Sequence, residues 1–390
     1  MSRPLRVVVA PDSFGGALDS VAVAGAMARG WVSARPDDVV VQIPMADGGE
    51  GTLAAIAAAL GDRAVRWTGE TFDPVGRGIT AEWLMLDEQT AFIELASASG
   101  LARLAHGERM PSTARRASTR GTGRLVQGAL DVGARRLVVG LGGSATTDGG
   151  AGMLVELGLR LLDARGNSLG DGGAALARLD HIDADGLDPR LAEVGIVIAS
   201  DVSNPLTGPN GAAATYGPQK GADAKTIAEL DAALVRWGAE ILRATGRDVA
   251  DAHGAGAAGG TTAGLLGFTS AEVRSGVEVV AELVGLTAAC VGADLVITGE
   301  GRADEQTLAG KAALGVARQA GSAPVVLLCG GLGPGAEIVE ESGAFAVVQP
   351  IIDRPLGLET AMADTERLLA NAAARLARSI GIGQGLAARG

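Results

Sequence analysis

Six times along this chain an apolar run gives way to glycines mixed with carboxylates or hydroxyls, and a helix-forming stretch follows. Repeated strand, polar loop and helix units favour a parallel sheet covered on both faces, because parallel strands need crossover connections. Glycine accounts for 60 of the 390 residues, roughly double the ~7% of ordinary usage, and without a collagen-like period. Much of the excess falls in these loops, where a backbone must approach a ligand or adopt positive φ. Open α/β sheets bind ligands at the carboxyl ends of their strands, so the six loops are where chemistry is expected.

The run Arg6–Ala10 reads as a buried strand and Leu18–Ala34 as a helix. Val39–Pro44 is a second strand, with a helix reaching Leu60. The rhythm returns near the C-terminus. Strands are expected at Asp294–Thr298, Pro324–Cys329 and Phe345–Pro350, with helices at Gly310–Ala320 and Leu358–Ile380. In the middle, Ile79–Leu86 and Thr90–Leu95 predict a hairpin, and Arg136–Gly140 and Gly195–Ala199 predict strands running into polar loops. The expected architecture is α/β with two domains. A Rossmann-like parallel-sheet domain is made of both chain ends (1–64 and 286–390), with a mixed α/β domain inserted at 65–285.

The formal charge of −12 and the 3% aromatic content argue against nucleic acid, which demands clustered cations and stacking platforms. No stretch has the ~18 apolar residues of a membrane span, and the four-residue apolar run near the N-terminus is too short for a signal peptide. Cys290 and Cys329 lie in apolar surroundings without metal spacing, as buried reduced thiols do. A cytoplasmic protein is expected.

In the first loop, Asp12 is a metal or substrate ligand or else a helix N-cap, with Ser13 beside it. The second, Ala46–Thr52, places Asp47 and Glu50 among three glycines, poor helix or strand material that leaves both carboxylates able to converge on a ligand. The third, Gly140–Gly150, offers backbone amides of Gly142 and Gly143 and hydroxyls of Ser144 and Thr146 as a phosphate cradle. Gly140, Gly142 and Ala145 also fit a loose G-x-G-x-x-A, with Asp163 downstream, so a nicotinamide-dependent oxidoreductase stays open. Asp201 ends a strand in the fourth loop, with Asn204 as a further oxygen ligand. The fifth, His253–Thr262, contains Gly256 and is either another cradle or a close helix packing. Gly299, Glu300, Gly301 and Arg302 form the sixth.

Only three lysines occur among 33 basic residues, and Lys220 and Lys311 stand beside glycines in or near these loops. Lysine is a compact point charge for phosphate where arginine is a planar fork. Gly310-Lys311 continues with Ala312, so there is no Walker A motif. No G-x-S-x-G occurs, and the three histidines have neither triad-like nor zinc-like spacing. Carboxylate, glycine amide and hydroxyl remain, an inventory suited to Mg²⁺–nucleotide chemistry.

Taken in order, the loops resemble those of the class I glycerate kinases: Ala10–Phe14, Ala46–Thr52, Ser118–Gly123, Leu141–Met153, Asp201–Gly211, Gly217–Ala222, Gly254–Gly260, Ile297–Arg302 and Gly310–Ala317. The resemblance implies transfer of the γ-phosphoryl group of ATP to D-glycerate with Mg²⁺, 2-phosphoglycerate being the favoured product. The active site is expected in the cleft between the domains, and a homodimer is compatible. Asp201 and Asp47 would share the base and metal roles, and Lys220 and Lys311 would stabilise charge. The third loop, Gly256 and Gly299–Gly301 would hold nucleotide. Asp12, Ser13, Asn204, Arg120 and Arg302 would hold the acid. Three positions depart from the family pattern: Gly15 replaces a lysine, Thr147 an asparagine and His253 a proline. Loss of the lysine makes a catalytically impaired sugar-acid- or nucleotide-binding relative a rival reading.

Overall fold

The run Arg6–Val9 is β-branched in three of four positions and almost wholly buried, so it sits at the centre of a sheet rather than at an edge. The structure, a computed structural model, describes residues 3–308 and 312–387. Five parallel strands lie in the order Val347–Pro350, Val325–Cys329, Leu295–Glu300, Arg6–Val9, Val39–Gln42. The chain moves outward in one direction from Arg6–Val9 and later in the other from Leu295–Glu300. The order therefore reverses between these two central strands, and such a reversal opens a crevice at their carboxyl ends. Asp12 and Glu300 occupy those ends. Lys311 and the expected start of the helix at Gly310 fall outside the described residues, and the described helix is Ala312–Gln319.

Asp19, not Asp12, caps the first helix. Its Oδ1 accepts from Ala22 N at 2.8 Å, and Ser20–Ala34 follows. That helix buries Val23, Met27 and Trp31 against Leu368, Leu369 and Ala372 of Thr365–Ala387. Each such side chain contributes about 1.5–3 kcal/mol on burial. A Cβ on Gly30 would lie 2.0 Å from Ala370 O, so the crossing needs glycine there. The closing helix expected at Leu358–Ile380 is in fact two, Leu358–Ala363 and Thr365–Ala387.

A second sheet has six strands in the order Glu272–Arg274, Gly195–Ala199, Arg136–Gly140, Thr90–Glu94, Gly78–Met85, Val65–Phe72. The first four run parallel, and the last two form antiparallel pairings. Its core joins Ile93, Leu137, Val139, Ile196 and Ile198 to Leu125, Val126 and Ala129 of the helix Arg120–Asp131. Another cluster gathers around Trp237 of Ala224–Thr245, a helix capped by Asp223 and ended by Gly246 at φ +73°.

By internal contacts the chain divides into two units, Met1–Asp47 with Ala54–Gly61 and Val277–Gly390, and Gly48–Leu53 with Asp62–Gly276. Relative to boundaries at 64/65 and 285/286, residues 48–53 and 62–64 join the second unit and 277–285 the first. Among the described residues no helix is long and apolar enough to cross a membrane, and both cysteines are buried free thiols.

Candidate active site

In the first unit three acidic side chains share one end of the parallel sheet. The Asp12 amide donates to Gly299 O at 2.8 Å, and Met45 N donates to Pro11 O at 2.8 Å, holding the first two loops side by side. Burial pushes the Asp12 carboxyl up to about 7, reinforced by the charge of Asp47 and more weakly by that of Glu300, against the Ser13 hydrogen bonds that favour its anion. The Ser13 amide reaches Asp12 Oδ1 at 2.6 Å, while the serine itself is exposed. Asp47 is exposed. Glu300 is 6% exposed and accepts from Thr307 Oγ1 at 2.6 Å. Gly299 is obligatory, since a Cβ there would lie 2.6 Å from Met27 and 2.9 Å from Leu328 O. Gly301 lies against the Phe14–Gly15 backbone. Arg302 is exposed, its Nε 3.4 Å from Asp304.

Such a cluster of like charges fits a hard divalent cation. Mg²⁺ takes oxygen ligands and needs only one or two carboxylates beside substrate phosphates. Among the described residues no group of three His, Cys, Asp or Glu side chains is arranged to hold a metal ion unaided, so phosphate oxygens would have to complete the shell.

The second unit gathers a different chemistry. The segment 48–53 lies across the carboxyl ends of its strands: Gly142 N donates to Gly48 O at 3.2 Å, and a Cβ on Gly142 would sit 2.2 Å from Gly49 Cα. Gly143, at φ +69°, faces Glu50. The N–H groups of Gly143 and Ser144 find no protein acceptor among the described residues, whereas Ala145 N is taken by Ser99 O at 2.9 Å. Lys220 is 2% exposed. Its Nζ donates to Ser144 Oγ at 3.0 Å and to Thr146 O. Burial lowers the Lys220 ammonium to about 7, with Asp148 opposing the shift. The hydroxyls of Thr146, Thr147 and Thr262 are buried without partners among the described residues.

Asp148, passed over in the reading of the sequence, braces this region. Its buried carboxylate accepts from the amides of Thr119 (2.8 Å), Gly150 (3.3 Å) and Gly152 (3.2 Å) and from Thr119 Oγ1 (2.9 Å). Burial raises its carboxyl above the usual range, and these donors act against the rise. The available signal was a lone carboxylate between threonines and a glycine pair. Glu94 was missed too. It is buried at the end of its strand and accepts from Leu53 N at 2.8 Å and Gly51 N at 3.2 Å, fixing the segment that follows Asp47.

The other expected residues are placed variously. Asp201 is exposed and accepts from Gly276 N at 3.1 Å. Asn204 is committed to its own loop, donating to Asn210 O and accepting from Tyr216 Oη, each at 2.8 Å. Gly256 donates to Asn204 O, and its Cβ would lie 2.3 Å from Pro205 O, which is close packing rather than an open cradle. Ala258, Gly259 and Gly260 follow with φ of +50°, +67° and +90°, and the alanine stores backbone strain of about 1–3 kcal/mol. Arg120 is paired with Glu156 at 2.7 Å and Asp171 at 3.5 Å. The dinucleotide reading loses its support: the helix Ala151–Glu156 starts after the glycine run, and Asp163 closes its own turn through Arg165 N and Asn167 N.

The glycerate kinase family model matches residues 7–381. The glycerate 2-kinase of Escherichia coli (strain K12) is 44% identical over 348 residues, covering 88% of this chain and 90% of the relative. The glycerate kinase of Bacillus subtilis (strain 168) is 41% identical over 379 residues, covering 96% and 98%. A crystal structure provisionally assigned as glycerate kinase 2 from Salmonella typhimurium LT2 superposes with a TM-score of 0.84 at 40% identity, covering 98% of this chain and 100% of that one. With its sheet orders, its ordered glycine loops and these relatives in agreement, the chain belongs to the glycerate kinase family.

Proposed function

We propose that this protein transfers the γ-phosphoryl group of ATP to a hydroxyl of D-glycerate with Mg²⁺, giving 2-phosphoglycerate, in the cytoplasm. The observation that carries the reading is the crowding of Asp12, Asp47 and Glu300 at the reversal point of the parallel sheet, where burial and their mutual repulsion lift Asp12 to about 7. A divalent ion relieves that repulsion. Asp47, with Asp12 and Glu300 behind it, is the group that would hold the ion. When bound, Mg²⁺ offsets the charge of the phosphate oxygens.

The remaining work is positioning. The amides of Gly143 and Ser144, which have no acceptor among the described residues, suit phosphate oxygens, and the buried Lys220 places a cation behind Ser144. Asp201 is the proposed base: as the glycerate oxygen attacks phosphorus and the bond to the ADP oxygen breaks, its carboxylate takes the hydroxyl proton. The relatives named as glycerate kinases support both substrate and reaction. Incubation of the pure protein with Mg-ATP and D-glycerate, read by ³¹P NMR, should show ADP and 2-phosphoglycerate. No ATP consumption, or the 3-phospho isomer, overturns the reading.

A further inference from the structure

The strand Val65–Phe72 runs antiparallel to Gly78–Met85, which runs antiparallel to Thr90–Glu94. Phe72 therefore lies at the same end of the strands as Glu94, Gly140 and Ala199, but on the edge strand of the second unit's sheet, two, three and four strands away from them. At that edge opens a cleft of about 340 Å³, walled by the turn 73–76 and by residues Arg116, Ser118 and Arg120. Both walls are fixed. Asp73 accepts from Val75 N and Arg77 N at 3.0 and 2.9 Å, Ser118 N donates to Pro74 O at 2.9 Å, and Asp148 holds Thr119.

The polar groups in the cleft differ in what they have left to give. Arg120 is already occupied by Glu156 and Asp171. Arg116 is exposed, its Nε donating to Ser112 O at 3.3 Å, and it has no carboxylate partner among the described residues. The buried Ser118 hydroxyl accepts from Arg120 N at 3.2 Å, and its own proton has no acceptor among the described residues. A guanidinium fork without a counterion and a hydroxyl with a proton to donate complement one carboxylate. Asp171 at the rim complements a hydroxyl.

We propose that this cleft is the acceptor subsite, with Arg116 and Ser118 holding the carboxylate of the hydroxy acid. The assignment rests on the D-glycerate reading and moves the carboxylate anchor from Arg120 or Arg302 to Arg116. Calorimetry with D-glycerate and steady-state kinetics on the full chain test it. Arg116→Ala should raise both the Kd and the KM for D-glycerate about 10-fold or more, as loss of a charged hydrogen-bonded pair does, with the KM for ATP unchanged. Arg116→Lys should recover part of the loss, and Ser118→Ala should show a smaller rise. If the wild type phosphorylates D-glycerate while Arg116→Ala keeps its Kd and KM within twofold, the cleft is wrong and the kinase reading stands. If the wild type neither binds nor phosphorylates D-glycerate, the reading falls and the subsite with it.

Discussion

In the first unit Asp12 stands near Asp47 and Glu300; in the second, Asp148 is more deeply buried yet meets three backbone amides and a threonine hydroxyl. Both carboxyls are raised by burial, so burial does not tell them apart. The sign of the neighbours does. A carboxylate ringed by donors has its stabilisation within the fold and serves as a brace. A carboxyl set beside other carboxylates, as Asp12 is, is favoured instead by a nearby cation, and that is the end of the sheet proposed to work.

Paired substitutions can break this contrast. Asp47→Asn should lower kcat by at least ~10²-fold and leave Tm within about 1 °C, as an exposed change does. Asp201→Asn should cost kcat as much if it is the base. Asp148→Asn should do the reverse, losing about 1–3 kcal/mol because an amide turns a donor toward donors, with Tm falling several degrees by thermal melting. Equal Tm losses in Asp47→Asn and Asp148→Asn would end the distinction.

Lys220→Met should lower kcat roughly 10-fold by freeing the Ser144 loop. Melting across pH gives a second readout. The folded lysine sits at about 7 against an ordinary 10.5, so the unfolded chain binds more protons between these values. Wild-type stability therefore gains a rising contribution with pH across that window, which the methionine variant lacks. Asp12 behaves oppositely. Its folded value of about 7 exceeds the ordinary 3.8, so its contribution falls as pH rises between them. At pH 8 without Mg²⁺, Asp12→Asn should melt about 2–4 °C higher, as ~1 kcal/mol produces, and Mg²⁺ should narrow the gap. An equal Tm at pH 8 would show that the repulsion is not felt. The smallest effect is expected at Gly15, which is exposed, has no positive φ, and would meet nothing within 4 Å of an added Cβ. Gly15→Lys should fold normally and raise kcat a few-fold by adding a cation near phosphoryl oxygens; an unchanged kcat would mean the position is idle or already compensated.

The parallel strands and their loops were legible because buried β-branched runs and glycine-carboxylate clusters are strong local signals. Val65–Phe72 was not, since it lies at the sheet edge, mostly exposed, with threonine, glycine and glutamate where an apolar face would be. The break before Thr365 was hidden by apolar periodicity on both sides. The scarcity of lysine drew attention to Lys220, and the loops to Asp12 and Glu300, but as substrate and nucleotide contacts rather than as members of one acidic cluster. What could not be read was commitment. Asn204 and Asp201 look alike as oxygen ligands in sequence, and only the folded chain shows Asn204 bonded to Asn210 and Tyr216 and Asp201 to Gly276. Arg116 and Arg120 are neighbours in one basic run, and only the placement of Glu156 and Asp171 separates them.

The strand Leu295–Glu300 lies between Arg6–Val9 and Val325–Cys329, and Arg6 N donates to Asp294 across 288 residues of chain. A polypeptide leaving the ribosome thus carries Asp12 and Asp47 long before their third acidic companion exists. Closing so long a loop delays the first unit's sheet, while the residues from Asp62 to Gly276 are already available to fold. The repulsive cluster is thereby assembled late, once the pairing that must bear it has a template on which to form.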